Sequence, residues 1–422
     1  MIKIRVLVVD DSAVIRSLLS DALSHDPEIE VVGLAGNGEV AVQKLQSAHP
    51  DIVTMDMEMP VMDGLQTLKA IRKTHPKLPV IMFSTLTERG SCATMDALAL
   101  GASDYVTKPA NVGSVLAGID KIKEDLIPKI KALVRHPADS RFAHHAPATP
   151  AKIPPRTGAA MHLEALVIGV STGGPNALAE LLPMLGTRFP LPILIVQHMP
   201  PLFTRLLAER IASVSGIPAR EAKDRDTIRP GQILIAPGGQ HMTAERGREG
   251  VRVRLNEDPP ENSCRPAVDV LFRSAASAFA ERTLAVVLTG MGQDGLKGSE
   301  AIRAAGGQVL VQDEVSSVVW GMPGAVFNAG LADKMLPLKD LAAEIYRRID
   351  AGNSAGRPSA KSLSERVGSL QQAILKREGL KGGDASSDSG LGTAPTGGGG
   401  ASASSGGVTG VESDAAGGEA KA

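Results

Sequence analysis

Among 422 residues there are only two cysteines, Cys92 and Cys264. They lie far apart and fit no disulfide or metal-ligand spacing, so the expectation is two ordinary thiols in a reducing cytosol rather than a stapled secreted fold. Net charge is almost missing too: 45 basic side chains stand against 46 acidic ones, and no Lys/Arg stripe is interleaved with aromatics. That leaves no electrostatic footprint for nucleic acid, which is therefore not expected as a partner. No apolar run approaches the roughly 18 residues of a membrane span. The opening "MIKIRVLVVDDS" turns acidic after a short apolar run, unlike a secretory signal with its basic start. A soluble cytoplasmic protein with no membrane insertion is expected.

What is present reads as two α/β domains, a natural division for a chain of this length. In residues 1–121 the runs Val6 to Val9, Val31 to Gly33, Ile52 to Met55, Val80 to Phe83 and Asp104 to Val106 alternate with amphipathic segments, which predicts a (βα)5 parallel sheet flanked by helices. Residues 122–160 begin as a charged helix and become "PADSRFAHHAPATPAKIPPRTG", a linker composition with little to bury. A second alternation over 161–350, with runs at Ala165 to Val170, Pro192 to Val196, Gln232 to Ala236, Leu284 to Thr289 and Gln308 to Val311, predicts a doubly wound α/β domain. The Gly/Ser/Ala tract of 351–422 cannot offset its ordering entropy by apolar burial and is expected to be disordered, apart from a helical turn or two around Leu363 to Leu375.

In the first domain Asp10 and Asp11 follow the first strand, Asp56 the third, Ser84 the fourth and Lys108 the fifth. A parallel sheet gathers all five at its carboxyl edge, where open α/β sheets bind ligands. Three converging carboxylates repel one another unless a cation lies between them, and an all-oxygen set suits Mg²⁺. Lys108 adds a positive charge for an anionic group on Asp56, and Ser84 a hydroxyl to hydrogen-bond it. The stretches Val8 to Ser12, Met55 to Pro60 with Asp63-Gly64, Met82 to Thr85 and Tyr105 to Pro109 resemble the receiver domain of two-component response regulators. That resemblance implies phosphoryl transfer from a histidine kinase to Asp56, Mg²⁺ held by Asp10, Asp11 and Asp56, and switching through Ser84, Tyr105 and Lys108. A phosphoryl group would draw a hydroxyl and an ammonium inward and bias a two-state surface.

The second domain opens on "LVIGVSTGGPNAL". A phosphate cradle needs a lysine after the glycines or a G-x-G-x-x-G spacing, and neither is present. A nucleophile at Ser171 needs a base and an orienting acid. His198 ends the next apolar run, "PILIVQHMPP", and so emerges at the same sheet edge; no other histidine stands in such a place. For the acid, Asp294 in "LTGMGQDGLKG" ranks ahead of Asp313 after "GQVLVQ", while Asp269 in "CRPAVDVLF" reads as an early helix residue. The glycines around Asp294 let free amides point inward, as an oxyanion hole requires. The order Ser, His, Asp is not that of α/β-hydrolases, so that fold is not expected.

Gly169 to Pro175, Gln197 to Pro200, Ala236 to Met242, Arg265 to Phe272 and Thr289 to Gly295 are similar to the catalytic domain of the chemotaxis protein-glutamate methylesterases, the CheB family. This resemblance covers 161–348 and implies Ser171 as nucleophile, His198 as base then acid, Asp294 as its orienting partner, and oxyanion stabilisation by the Met291 amide with Thr172 close by. It also implies deamidation of receptor glutamines, methyl-accepting chemotaxis receptors as substrates, a monomer, no cofactor in the catalytic domain, and a receiver that covers the active-site edge until phosphorylated. Two rival expectations remain: a receiver joined to a non-catalytic binding module, and a small-molecule esterase or amidase with the same triad.

Overall fold

The five apolar runs of the first domain become five parallel strands in the computed structural model, which describes residues 3–85, 87–108, 115–134 and 162–354. These strands are β1 (Ile4–Val9), β2 (Ile29–Ala35), β3 (Ile52–Asp56), β4 (Val80–Ser84) and β5 (Asp104–Thr107), and they lie in the order 2-1-3-4-5. Between them run α1 (Ala13–Ser24), α2 (Gly38–Ala48), α3 (Gly64–Thr74) and α4 (Glu88–Ala99). Each of these helices starts where a short polar side chain accepts an otherwise unpaired N–H: Ser12, Asn37, Asp63 and Thr87 in turn, with Gln66 completing a capping box at Asp63. The strand order reverses between β1 and β3, so Asp10 and Asp56 leave the sheet on either side of its switch point.

Helix α5 (Val115–Val134) runs across the expected boundary at residue 121. The charged helix assigned to the linker is its second half. Leu126 and Ile130 are buried in one apolar cluster with Val6, Val8 and Ile52, so sheet packing holds the helix well past 121. The rest of the expected linker from 135 on, the tail from 355 and the turns around Leu363 to Leu375 lie outside the described residues.

In the second domain seven strands form one parallel sheet: β6 (Ala165–Val170), β7 (Ile193–Gln197), β8 (Ala219–Glu221), β9 (Ile233–Ile235), β12 (Thr283–Val287), β13 (Gln308–Gln312) and β14 (Lys334–Leu336), in the order 14-13-12-6-7-9-8. An antiparallel hairpin, β10 (His241–Gly247) and β11 (Gly250–Asn256), stands apart from it. The helices are α6 (Gly174–Leu185), α7 (Phe203–Ser215), α8 (Val268–Phe279), α9 (Leu296–Ala304), α10 (Met322–Asn328) and α11 (Leu338–Ser354). The doubly wound class expected from the sequence is what forms, and its order reverses between β6 and β12. Among the described residues no helix is long and apolar enough to cross a membrane.

The two domains share an apolar core in which Met95, Leu98 and Tyr105 join Phe203 and Leu207. Helix α4 packs on α6 and α7, and the Tyr105 ring stacks on Phe203 at 4.6 Å and 7°. Polar contacts finish the joint: Arg205 reaches Glu88 at 2.6 Å, Arg210 donates to the Met95 carbonyl at 3.2 Å, and Thr172 Oγ1 donates to Asp104 Oδ2 at 2.9 Å.

Helix α11 closes the second domain with Leu341, Ile345 and Ile349 buried. Its Glu344, 4 % exposed, meets Lys334 at 3.0 Å, Arg347 at 2.6 Å and Arg348 at 2.9 Å. Burial alone would raise this carboxyl, but the three cations hold it at about 2. Its folded value lies below the unfolded one, so the stabilisation is complete above pH about 4.5 and is lost as pH falls towards 2. Glu344→Gln is expected to lower stability at pH 7 by about 1–3 kcal/mol, allowing for screening of the partly exposed arginines, and to flatten the acid limb of thermal melts.

Candidate active site and receiver acid cluster

Strand β6 is buried along its whole length and delivers Ser171 to the carboxyl edge of the second sheet, at the switch point. Its neighbour β7 pairs in register, with Val170 opposite Gln197, so His198 emerges one step beyond that pair, beside Ser171. The His198 N–H donates to the Val170 carbonyl at 3.4 Å, and Gln197 Nε2 donates to the Ser171 carbonyl at 3.0 Å, tying both strand ends together. From β12 the chain turns through Thr289 to Gly295. Gly290 crosses directly against Ser171: a Cβ there would lie 2.8 Å from the Ser171 Cβ and 2.4 Å from the Met322 sulfur, so only glycine fits. Gly173, at φ +78°, begins α6 in a left-handed conformation that glycine adopts without strain.

The expected acid meets the expected base. His198 Nε2 lies 2.8 Å from Asp294 Oδ2, with the His198 side chain 12 % exposed and that of Asp294 2 %. The other ring nitrogen, Nδ1, is turned away from Asp294, and no hydrogen bond between Ser171 Oγ and the ring is formed among the described residues. Catalytic hydrogen bonds often tighten only when substrate binds. Asp294 is fixed by further donors. Its Oδ2 accepts the Val268 N–H at 2.6 Å, and its Oδ1 accepts the Asp269 N–H at 2.9 Å, the Gly295 N–H at 3.0 Å and Asn262 Nδ2 at 2.9 Å. Burial would raise the Asp294 carboxyl, but His198 and these N–H donors hold it below the usual range. Burial would likewise lower His198, but hydrogen bonding to Asp294 and to the nearby Cys264 sulfur raises it to about 9.

The backbone N–H groups of Thr172 and Met291 donate to no carbonyl among the described residues, as donors to a developing oxyanion must be. Thr172 is buried and turned towards the first domain by Asp104, which is also paired with Lys129 at 3.0 Å. Asp313, the second choice for the acid, caps its own turn through the Ser316 N–H and hydroxyl. His241 is buried, facing the Pro259 carbonyl at 3.2 Å and accepting the Ala267 N–H at 3.2 Å, so its role is to hold the approach to α8.

Three residues of this site escaped the sequence reading in whole or part. Asn262 and Ser263 occupy the left-handed region in a tight turn closed by mutual hydrogen bonds between Glu261 and Cys264, and that turn presents Asn262 to Asp294. Cys264, expected to be an ordinary thiol, is a free, half-buried cysteine in this turn and contributes to the raised His198 imidazole. Asp269 is the early helix residue expected, but it also faces Asp294. Only the Asn-Ser pair, apt for positive φ, marks the turn in the sequence.

At the edge of the first sheet, carboxylate oxygens of Asp10, Asp11 and Asp56 lie within 4.8 Å of one another. Lys108 Nζ is 2.7 Å from Asp56 and 3.1 Å from Asp10. Asp10 Oδ2 is buried and faces Lys108 Nζ, so an ammonium stands against the oxygens of Asp10 and Asp56, and the all-carboxylate set with Asp11 is the hard-oxygen donor type that suits magnesium. Burial raises the Asp56 carboxyl despite Lys108, and the two aspartates raise Lys108 against the opposing effect of its burial. A pocket of about 670 Å³ lined by Asp11, Asp56, Thr85 and Lys108 opens onto the cluster. The Ser84 hydroxyl turns towards α4: it faces the Gly90 carbonyl at 3.1 Å and accepts from Thr94 at 2.6 Å.

Residues 166–345 match the family model described as CheB methylesterase, and residues 6–120 the response regulator receiver domain. A protein-glutamate methylesterase/protein-glutamine glutaminase of Trichodesmium erythraeum is 53% identical over 352 residues, 83% of this chain and 100% of the relative. A protein of the same description from a Nocardioides species is 55% identical over 358 residues, 82% of this chain and 95% of its own. The crystal structure of the Thermotoga maritima CheB methylesterase catalytic domain, 40% identical, covers 45% of this chain and 99% of its own, with a TM-score of 0.43.

Proposed function

Because this chain belongs to the CheB methylesterase family, with a receiver domain in front, we propose that it is a phosphorylation-activated protein-glutamate methylesterase of methyl-accepting chemotaxis receptors. It also deamidates receptor glutamines, and it works in the cytoplasm. The observation that carries this reading is the His198–Asp294 contact of 2.8 Å beside Ser171 at the sheet switch point.

Ser171 attacks the side-chain ester carbonyl while His198 Nδ1 takes its proton. Asp294, fully ionised among its donors, keeps the Nε2 proton in place and stabilises the imidazolium. The Met291 amide, with Thr172 close by, receives the oxyanion. His198 returns the proton to the departing methanol, then activates water against the acyl-serine. With a glutamine substrate the same steps release ammonia. Small alkyl esters are the rival substrate. Mass spectrometry of a methylated receptor fragment tests the choice: loss of methyl from glutamyl esters supports the reading, and turnover of simple esters with the receptor untouched contradicts it.

Regulation begins at Asp56, phosphorylated by a histidine kinase. Asp10, Asp11 and Asp56 would hold Mg²⁺, which when bound neutralises phosphoryl oxygens. Lys108 pairs with the new anion, and Ser84 exchanges its bonds to α4 for one to the phosphoryl group. Helix α4 and Tyr105 both lie in the joint with α7, and Asp104 holds Thr172 next to the nucleophile, so the two sites share one two-state interface. A small phosphodonor with Mg²⁺ is expected to raise receptor demethylation by roughly 5–150-fold, the usual range of such coupling. Asp56→Asn should keep the basal rate and lose the stimulation, which a radiolabel release assay reads directly.

A further inference from the structure

Two carboxylates, not one, lie behind His198. Asp294 stands at the end of the β12 loop, yet its oxygens accept the first N–H groups of α8, those of Val268 and Asp269. Asp269 stands in the first turn of α8, yet its Oδ1 accepts the N–H groups that open α9, from Gly295 at 2.9 Å and Gly298 at 2.6 Å. Each aspartate therefore caps the other's helix. Asn262 bridges them, donating to Asp269 Oδ2 and Asp294 Oδ1 at 2.9 Å each.

Burial and the facing Asp294 raise the Asp269 carboxyl, but every hydrogen bond it receives comes from a donor, so its ionised form is the one those bonds match, and two helix N-termini favour it. The nearest arginine of α8 is committed elsewhere: Arg273 forms a bidentate pair with Glu261 at 2.7 and 2.6 Å. The groups facing the His198 ring are then Asp294 from the β12 loop and Cys264 from the turn before α8, with Asp269 behind Asp294.

We propose that Asp269, bridged to Asp294 by Asn262, is a positioning residue of the hydrolysis, and that its charge, acting through Asp294, governs when His198 takes up and releases its proton. It rests on the serine esterase reading above. In the free enzyme the second negative charge favours the imidazolium, and it strengthens the electrostatic support for the imidazolium that forms as Ser171 attacks.

The test is the titration of the His198 ring by proton–nitrogen NMR in the full chain carrying Ser171→Ala, with and without Asp269→Asn. Asparagine keeps an oxygen for the α9 amides and removes the charge. The midpoint is expected to fall by roughly 1–2 pH units, from a unit charge about 6–12 Å away at an effective dielectric of about 20. With Ser171 present, the acid limb of kcat/KM should move by the same amount. Should Asp269→Asn fail to fold, Asp269→Ser, another neutral acceptor, takes its place. An unchanged midpoint in the folded variant, with only a lower Tm, would reduce Asp269 to a helix cap and overturn the proposal. Because the titration needs no turnover, it stands apart from the esterase reading, which fails separately if Ser171→Ala leaves hydrolysis intact.

Discussion

Ser171→Ala is expected to lower receptor methyl-ester hydrolysis by about four to six orders of magnitude, the loss seen when a triad serine is removed. The neighbouring hydroxyl cannot replace the missing oxygen, because Thr172 Oγ1 is donated to Asp104. The fold should be indifferent to the change. Ser171 makes its structural bonds through the backbone, its N–H to the Thr289 carbonyl and its carbonyl to Gln197, and alanine keeps both. Thermal stability is therefore expected to stay within about 0.5 kcal/mol of the parent. Hydrolysis that survives the substitution would return "GVSTGG" to the status of a helix-opening turn and favour a binding module.

Asp294→Asn is expected to cost about 10³–10⁴ in kcat, because an amide on Nε2 no longer keeps the proton there and leaves Nδ1 in the wrong state to accept from serine. The sign of its pH dependence follows from the same contact. His198, at about 9, must lose its proton before it can act as base, so the parent gains activity as pH rises towards 9. Without the carboxylate the imidazolium is less favoured and the midpoint moves down. The ratio of parent to variant should widen between pH 6 and pH 10 in matched pH–rate profiles. A constant ratio would mean that Asp294 does not set the protonation of His198.

The buried parallel strands could be read in the sequence because both their faces are covered, so they appear as continuous apolar runs. Ala165 to Val170 is β6 to the residue, and the other nine runs lie within a few residues of their strands. Strands β8 and β14 could not be read this way: each is three residues long, with side chains such as Arg220 and Lys334 at the sheet's edge. Strand β11 of the hairpin alternates arginines with valines, the pattern of a one-faced ribbon outside the main sheet. The packing of α5 beyond residue 121 could not be read because a charged helical sequence carries no mark of what its few apolar residues meet; Leu126 and Ile130 meet the sheet.

Strand ends explain the candidate site in the same way. Ser171 and His198 were legible because a parallel sheet brings every strand's carboxyl end to one edge. Asp294 needed a choice over Asp313, and the deciding fact is tertiary: α8 begins where Asp294 can receive its first amides. Asn262 and Asp269 join the site only through the crossing of α8 and α9, and Asp104 reaches Thr172 only across the domain joint. No spacing along the chain encodes those contacts.

The most direct measurement is methanol release from membranes bearing radiolabelled methylated chemoreceptor, for the parent and Ser171→Ala, each with and without Mg²⁺ and a small phosphodonor. The account predicts release that rises with phosphodonor in the parent and is absent in Ser171→Ala under both conditions. Release that ignores Ser171, or a parent that ignores phosphodonor, would contradict a phosphorylation-gated serine esterase.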